Sequence, residues 1–234
     1  MKKVSRFVLC ALVPALIAGM FCSPCHAQYI GGYSELNDSD VTRSLKSHVS
    51  YLASDALEGR GAGTQGEKEA ADYVRDVFKK YDIDLLSGEN GDLFGISQNG
   101  DTLTSRNVLG FVQGYDKKMF DRYIVIGARL DNVGTNMVEV DGKPVEQVYN
   151  GANGNASGLA MMLELARMVN TNALMFRRSV IFIAFGASSQ SFAGAWYFLN
   201  RSFSDAGRID AMIDLDMLGT GSNGFYAYTS SNAD

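Results

Sequence analysis

Two patterns of apolar residues follow one another along the chain, and the change comes near residue 104. Before that point apolar residues recur every three or four positions, which is the spacing of one face of an α-helix. They predict a helix that is capped by Asp40 and ends near Asp55, and a second helix after the glycine-rich connector 58–64. The residues expected to face inward are Val41, Leu45, Val49 and Leu52 in the first helix, and Ala70, Ala71, Val74, Val77 and Phe78 in the second.

After residue 104, uninterrupted apolar runs predict buried β-strands at 107–112, 123–128, 179–185 and 211–215. An amphipathic helix opening at Asn155 separates the second run from the third, and a shorter helix at 192–200 separates the third from the fourth. This alternation predicts an α/β fold, a three-layer sandwich with helices on both faces of a central mixed, largely parallel sheet. Ligands of such sheets bind beyond the carboxyl ends of the strands. We therefore expect the functional residues in the segments that directly follow the strands, which we call the strand exits.

The first residues have the pattern of an export signal. Three basic residues precede the apolar run 7–21, and small residues precede a cleavage site after Ala27. A membrane anchor is the alternative, but Pro14 interrupts a run that is already short for a bilayer. We therefore predict a signal peptide at 1–27 and one domain at 28–234, exported to the periplasm or the extracellular space and free of the membrane after cleavage.

Cleavage would change the composition of the chain. All three cysteines lie within 1–27, so the mature chain would form no disulfide. It would keep one histidine, His48, for which a partly exposed position on the first helix is expected rather than a ligand role. The loss of three basic residues would leave 18 basic against 26 acidic residues, and this negative balance argues against nucleic acid as a partner.

The most distinctive part of the sequence is a set of six short segments: Leu57-Glu58-Gly59-Arg60, Asn107-Val108-Leu109-Gly110, Tyr123-Ile124-Val125-Ile126-Gly127-Ala128, Asn155-Ala156-Ser157-Gly158, Ile181-Phe182-Ile183-Ala184-Phe185-Gly186-Ala187 and Leu215-Asp216-Met217-Leu218-Gly219. In this order they resemble the bacterial secreted di-zinc aminopeptidases, a metallopeptidase family that includes leucine aminopeptidases and is related to glutaminyl-peptide cyclases. The resemblance covers nearly the whole predicted domain. It implies a zinc-exopeptidase-like fold and, in the family, two zinc ions.

The resemblance also shows where ligands have been replaced. The family pattern Gly-Ala-His-x-Asp-His is represented by residues 127–132. Arg129 therefore stands at the position of a zinc-ligating histidine, and Asp131 matches an aspartate that supports this histidine in the family. In the pattern Gly-Ala-x-Asp-Asn-Ala-Ser-Gly, Gly154 stands at the position of the aspartate that bridges the two ions.

The segments after the third and fourth predicted strands also match family patterns. Where the family has Gly-Ala-Glu-Glu, Ser188 takes the place of the general base and Ser189 that of a zinc ligand. In Leu-Asp-Met-x-Gly, the ligand aspartate is kept as Asp216. The family's last histidine ligand would lie beyond Asp234, so we expect a domain that lacks C-terminal elements of the family fold.

These replacements predict that no zinc is held and that no cofactor is needed. An arginine is not deprotonated near neutral pH and repels a cation, and glycine offers no side chain. We expect the guanidinium of Arg129 to fill part of the vacated position and to pair with Asp131 or Asp216, a geometry suited to its planar fork. Asp214 and Asp216 leave a weak oxygen-ligated calcium or magnesium ion as a minor alternative.

Three functions are consistent with the sequence. The favoured one is an exported, catalytically inactive pseudo-peptidase that keeps the fold and either binds peptides or a partner protein or has no remaining role. The second is an active metallo-aminopeptidase that uses unusual ligands to release N-terminal residues from peptides. The third is a hydrolase with Ser188 or Ser189 as nucleophile, which is disfavoured because His48 belongs to an early helix away from the strand exits.

Overall fold

The apolar runs form strands in the computed structural model, which describes residues 39–98, 100–221 and 226–228. In chain order the strands are β1 Asp84–Leu85, β2 Asp92–Gln98, β3 Asp101–Val112, β4 Tyr123–Arg129, β5 Thr135–Val140, β6 Lys143–Val148, β7 Ser179–Phe185 and β8 Ile209–Asp214. A central sheet has the order β1-β3-β7-β4-β8, with β2 also paired to β3. Strands β5 and β6 form a separate antiparallel hairpin.

The sheet is mixed, as predicted. Strand β4 lies parallel to both β7 and β8, whereas β3 runs antiparallel to β7. The parallel part is therefore the group β7-β4-β8. In its register Arg129 lies opposite Phe185, and Gly127 lies opposite Asp214. The carboxyl ends of these three strands meet at one edge of the sheet.

Four helices cover this sheet: α1 Asp40–Leu52, α2 Gln65–Lys80, α3 Ser157–Thr171 and the short α4 Ala193–Tyr197. The hydroxyl of Ser39 accepts a hydrogen bond from Thr42 N at 3.1 Å and so caps α1. Similarly, the Thr64 hydroxyl accepts from Glu67 N at the start of α2. The cap of α1 thus lies one residue before Asp40, and the helix ends at Leu52, earlier than its apolar pattern predicted.

Strand β7 explains why the fold has three layers. All seven of its residues are buried, so both of its faces are covered. One face packs in a cluster with residues of α1, α2 and α3, and the other packs with Phe198 from the turn after α4. The β7 side chains on the first face are Val180, Phe182 and Ala184, and those on the second are Ile181, Ile183 and Phe185. The predicted three-layer sandwich is confirmed.

Several elements differ from the sequence-based expectation. The inward face of α2 was predicted correctly, since all five of the apolar residues expected to face inward are buried. Strands β5 and β6 were missed because all of their residues are exposed or half-buried, so no buried apolar run marks them. Strand β3 begins at Asp101, before the predicted run, because its polar first half pairs with β2.

The N-terminal predictions fall outside the described residues. The predicted signal peptide 1–27 and the start of the predicted domain 28–234 both lie before Ser39, where the description begins. Residues from Ser39 onward cluster as one compact unit.

A buried arginine joins the helices to the strand exits. Arg60 is fully buried, and its guanidinium donates hydrogen bonds only to backbone carbonyl oxygens in the described structure. The acceptors are Leu52 at the end of α1, Leu130 after β4 at 3.2 Å, and Asn150 and Gly151 at 2.8 and 3.1 Å. Burial lowers the pKa of Arg60 to about 10, so the side chain remains charged at neutral pH. Its fork fixes the loop that precedes α3 against both α1 and the end of β4.

Candidate active site at the strand exits

The positions singled out by the sequence lie where the parallel strands end. Arg129 is the last residue of β4, and Asp216 lies two residues after β8. Gly154 lies in the turn Ala152–Ala156, directly before α3. Ser188 and Ser189 follow β7. Strand register and the short connections therefore bring these segments to one edge of the sheet.

Arg129 and Asp216 form an ion pair. Arg129 Nη2 lies 2.7 Å from Asp216 Oδ1, and Arg129 Nε donates to the same oxygen at 3.1 Å. The two side chains are 23% and 42% exposed. At that exposure the pair contributes about 1 kcal/mol or less to stability. Asp131 and Asp216 were the two partners predicted for Arg129, and the residue with which it pairs is Asp216.

Gly154 lies beside the same guanidinium. A Cβ atom built on this glycine would lie 3.9 Å from Arg129 Nη2, and no other neighbouring atom would be as close. An aspartate at position 154 would thus point toward the guanidinium. The structure brings together positions 129, 154 and 216, as the motif comparison predicted.

Asn155 fixes the loop that carries Asp216. It is fully buried, and its Nδ2 donates to Leu215 O at 2.8 Å. Its Oδ1 accepts from Met217 N at 3.0 Å and from Gly158 N at 3.2 Å. Asn155 was predicted only to open a helix, whereas its side chain also ties the segment after β8 to the start of α3.

Asp131 has partners that the sequence did not reveal. Its carboxylate is fully buried, and it accepts hydrogen bonds from two consecutive backbone amides, Ser188 N at 2.5 Å and Ser189 N at 2.9 Å. Charge-assisted bonds of this kind are stronger than neutral ones. Asp131 therefore fastens the turn after β7 to the end of β4.

A second buried carboxylate holds the same turn from the other side. Glu67 accepts from Ala187 N at 2.9 Å, from the Ser105 hydroxyl at 2.7 Å and from Gly63 N at 2.6 Å. Burial raises the pKa of Glu67, although these three hydrogen bonds act in the opposite direction. The Ser188 hydroxyl is buried as well and donates to Phe185 O at 3.2 Å. The turn is thus shaped by hydrogen bonds from within the protein.

Asp214 and Asp216 both experience the positive charge of Arg129, which bonds directly to Asp216. Desolvation, followed by the charge of Asp216, raises the pKa of Asp214, and the charge of Arg129 lowers it. Neighbouring carboxylates repel each other when both are ionised. The positive charge of Arg129 acts against this repulsion.

His48 is placed differently from its prediction. It is buried rather than partly exposed, with 5% of its surface accessible. Its ring nitrogens bond to the hydroxyls of Tyr73 and Ser44. No hydrogen bond joins this ring to Ser188 or Ser189 within the described structure, so the histidine that a serine nucleophile would need is bonded elsewhere.

Across residues 39–98, 100–221 and 226–228, no group of three or more histidine, cysteine, aspartate or glutamate side chains is arranged to hold a metal ion. At the strand exits, the Asp216 carboxylate is bonded to Arg129, and the Asp131 carboxylate is bonded to the backbone amides of Ser188 and Ser189.

Sequence comparison identifies the family to which this site belongs. The profile of Peptidase family M28 matches residues 107–234, which include every strand exit. The chain belongs to peptidase family M28. Leupeptin-inactivating enzyme 1 of Streptomyces exfoliatus is 24% identical over 191 residues, which cover 79% of this chain and 38% of that protein. The chain therefore spans about two fifths of the length of this curated relative.

Solved structures show the same fold. An aminopeptidase from Aneurinibacillus sp. strain AM-1 superposes with a TM-score of 0.58 at 17% identity, over 76% of this chain and 71% of that chain. Glutaminyl cyclase of Porphyromonas gingivalis gives a TM-score of 0.57 at 18% identity, over 78% and 62%. BSAP, a zinc aminopeptidase from Bacillus subtilis, gives 0.56 at 16% identity, over 76% and 69%. The M28 chain thus has the zinc-exopeptidase fold that its motifs predicted.

The bonds of Asp131 generate a first prediction. Asp131→Asn should lower the free energy of unfolding by about 2 kcal/mol, because one amide N–H would lose its charged acceptor and face an NH2 group. Hydrogen exchange of the Ser188 and Ser189 amides should accelerate at the same time. Urea unfolding and amide exchange measured by NMR provide the test. Asp101→Asn, at an exposed position, is the matched control and should change neither quantity.

Proposed function

We propose that this M28 chain is a catalytically inactive pseudo-peptidase that retains the family fold. The observation that carries the proposal is the ion pair between Arg129 and Asp216, the one family ligand that the motif comparison found unchanged. A guanidinium bonded to this carboxylate takes the place that a metal ion would need. The residues at the site do not fit two zinc ions.

The electrostatic cost supports this proposal. A guanidinium bonded to the carboxylate repels a divalent cation at the same place, and solvent screens part of this repulsion because the pair is partly exposed. The shortage of ligands adds to the cost, because Gly154 supplies none and the serine hydroxyls are weak ones. Structural zinc sites have four protein ligands.

The general base is missing as well. Metal-assisted hydrolysis requires a group that takes the proton of the attacking water. The residue at that position, Ser188, is buried and donates its proton to Phe185 O. An alkyl hydroxyl is not a base near neutral pH. An active metallo-aminopeptidase is therefore the less favoured alternative, and it rests on family membership alone.

We further propose that the strand exits retain the capacity to bind peptides or a partner protein. A cleft of about 360 Å³ opens beside Ser189, between the glycine-rich connector and the turn after β7. Its lining residues are all uncharged, and most have polar side chains. They are Gly61, Ala62, Thr64, Gln98, Asn132, Val133, Gly134, Thr135, Ser189 and Gln190. Backbone and amide groups of this kind suit hydrogen bonds to an extended, uncharged chain.

Zinc content provides the test of inactivity. The wild-type protein, incubated with zinc and desalted, should retain well below one ion per chain by mass spectrometry and should not hydrolyse leucine p-nitroanilide. The double variant Arg129→His, Gly154→Asp should retain more zinc, because a repelling cation is replaced by two ligands. Arg201→His, at an exposed position, controls for an added histidine. Stoichiometric zinc in the wild type, together with hydrolysis that a chelator abolishes, would establish the active-enzyme alternative.

Peptide binding is tested separately at the cleft. A fluorescent peptide of uncharged polar residues should bind the wild type and bind Ser189→Trp at least about tenfold more weakly, since the indole would fill the cleft. Ser202→Trp adds the same side chain at an exposed position and should bind as the wild type does. Equal affinity of all three proteins, measured by fluorescence anisotropy, would contradict binding at this cleft.

We also propose that the chain is exported. The support is the N-terminal pattern of basic residues, apolar run and small residues before position 28. Within the described part of the chain, no helix combines the length and apolar character needed to cross a bilayer.

The mass of the exported product tests this. Protein recovered from the periplasm or medium of an expressing bacterium should begin at Gln28, because cleavage after Ala27 removes the signal. Intact-mass measurement distinguishes the outcomes. A full-length chain retained in the membrane fraction would support the anchor instead.

A further inference from the structure

The hairpin of β5 and β6 begins at the cleft beside Ser189. Gly134 N donates to Gly59 O at 3.1 Å and anchors the base of the hairpin to the glycine-rich connector. Gly134 and Thr135 also line the cleft, so β5 leads away from it. Within the described part of the chain, β5 and β6 pair only with each other. An unpaired strand edge presents backbone N–H and C=O groups that can pair with another chain.

The turn of the hairpin fixes which backbone groups point outward. Its two residues, Asp141–Gly142, both have positive φ, at 52° and 73°, as a type I′ turn requires. In such a turn the residue after the turn donates to the residue before it, so Val140 and Lys143 form a hydrogen-bonded pair. Bonded and non-bonded pairs alternate along an antiparallel ladder. The bond from Tyr149 N to Gly134 O, at 3.0 Å, falls in the bonded series and agrees with this alternation.

The alternation leaves three residues of each strand with backbone groups directed away from the hairpin. They are Thr135, Met137 and Glu139 on β5, and Pro144, Glu146 and Val148 on β6. Pro144 has no N–H, and its ring obstructs a neighbouring strand, so the outer edge of β6 is interrupted. The outer edge of β5 keeps every N–H and C=O group. One edge of the hairpin is therefore open, and it is the edge that begins at the cleft.

The charge of the hairpin distinguishes between possible occupants of this edge. Residues 135–148 contain three acids, Glu139, Asp141 and Glu146, and one lysine, so their net charge is −2. A second copy that paired through the same edge would bring two hairpins of like charge together, which is unfavourable. Glu139 is exposed on the open edge, where a basic residue opposite it would be favourable. Met137 is 59% exposed on the same edge and offers apolar contact to a β-branched side chain.

We propose that β5 binds an extended basic peptide as an added antiparallel strand. A basic residue of the peptide lies opposite Glu139, a β-branched residue lies opposite Met137, and the C-terminal residues enter the cleft. Antiparallel pairing is chosen because its ladder is the more stable one. The inference rests on the proposed binding of peptides at the cleft, and it identifies the conformation and charge of the ligand.

Hydrogen exchange on the full chain detects the added strand directly. The probe is the acetylated fluorescent peptide Lys-Val-Val-Thr-Thr-Ser-Gln-Ser, whose lysine lies opposite Glu139 in the expected register. Its binding should slow exchange of the Thr135, Met137 and Glu139 amides, because each would donate to the peptide. The outward amides of Glu146 and Val148 on β6 should exchange as they do in the free protein.

Two proline variants test the edge by fluorescence anisotropy. Met137→Pro removes an outward N–H of β5 and obstructs the added strand, so the probe should bind roughly tenfold more weakly, a loss that two hydrogen bonds account for. Glu146→Pro is the matched control, since residue 146 lies directly opposite Met137 on the edge that is already interrupted. It should bind as the wild type does. Unchanged exchange of the Val138 and Val145 amides verifies that each variant keeps the hairpin.

N-methylated peptides give the same test on the unmodified protein. The third and fifth residues of the probe direct their N–H groups toward β5 in the expected register, and the second and fourth direct theirs away. N-methylation of the third and fifth residues should therefore weaken binding at least about tenfold, whereas N-methylation of the second and fourth should not.

The possible failures are distinguishable. Binding that Ser189→Trp weakens but Met137→Pro and the N-methyl groups leave unchanged would overturn pairing at β5 and keep the cleft. Binding that Met137→Pro weakens but Ser189→Trp leaves unchanged would support β5 and refute the cleft. A wild-type dimer in sedimentation that Met137→Pro converts to a monomer would show that a second copy occupies the edge, and would overturn the proposal. Absence of binding to the wild type would overturn both.

Discussion

The parallel registry of β7, β4 and β8 is the constraint on which the site depends. It brings three chain segments to one sheet edge, where the acids Asp214 and Asp216 come close to each other. Neighbouring carboxylates repel each other when both are ionised. Arg129, the last residue of β4, bonds to Asp216 and places a positive charge near both acids. The ion pair adds little to stability, and in the proposed inactive protein it stands where a metal ion would bind.

Hydrogen bonds from within the protein give shape to the rest of the edge. Asp131 and Glu67 hold the turn after β7, Asn155 holds the segment after β8, and Arg60 holds the loop before α3. Each of these side chains is buried and pairs with backbone groups. The peptidase M28 fold is thus maintained at its strand exits by hydrogen bonds among these polar groups.

The sequence predicted most of the fold because the buried elements leave strong periodic signals. The apolar runs of β4 and β7 and the inward stripe of α2 are examples, since burial on one or both faces dictates their composition. The hairpin β5–β6 was missed because its residues face water. His48 was placed wrongly because its partners, Tyr73 and Glu164, come from distant parts of the chain. The role of Asp131 was likewise hidden, since bonds to backbone amides leave no trace in side-chain composition.

Arg129 is proposed to occupy the metal position, and diffraction from crystals grown with zinc tests this proposal most directly. Data collected at the zinc absorption edge reveal bound zinc without reference to any assumed ligand. The predicted result is an Arg129 guanidinium within hydrogen-bonding distance of Asp216 and no anomalous peak at this carboxylate. A zinc peak on Asp216, with Arg129 turned away from it, would contradict the account.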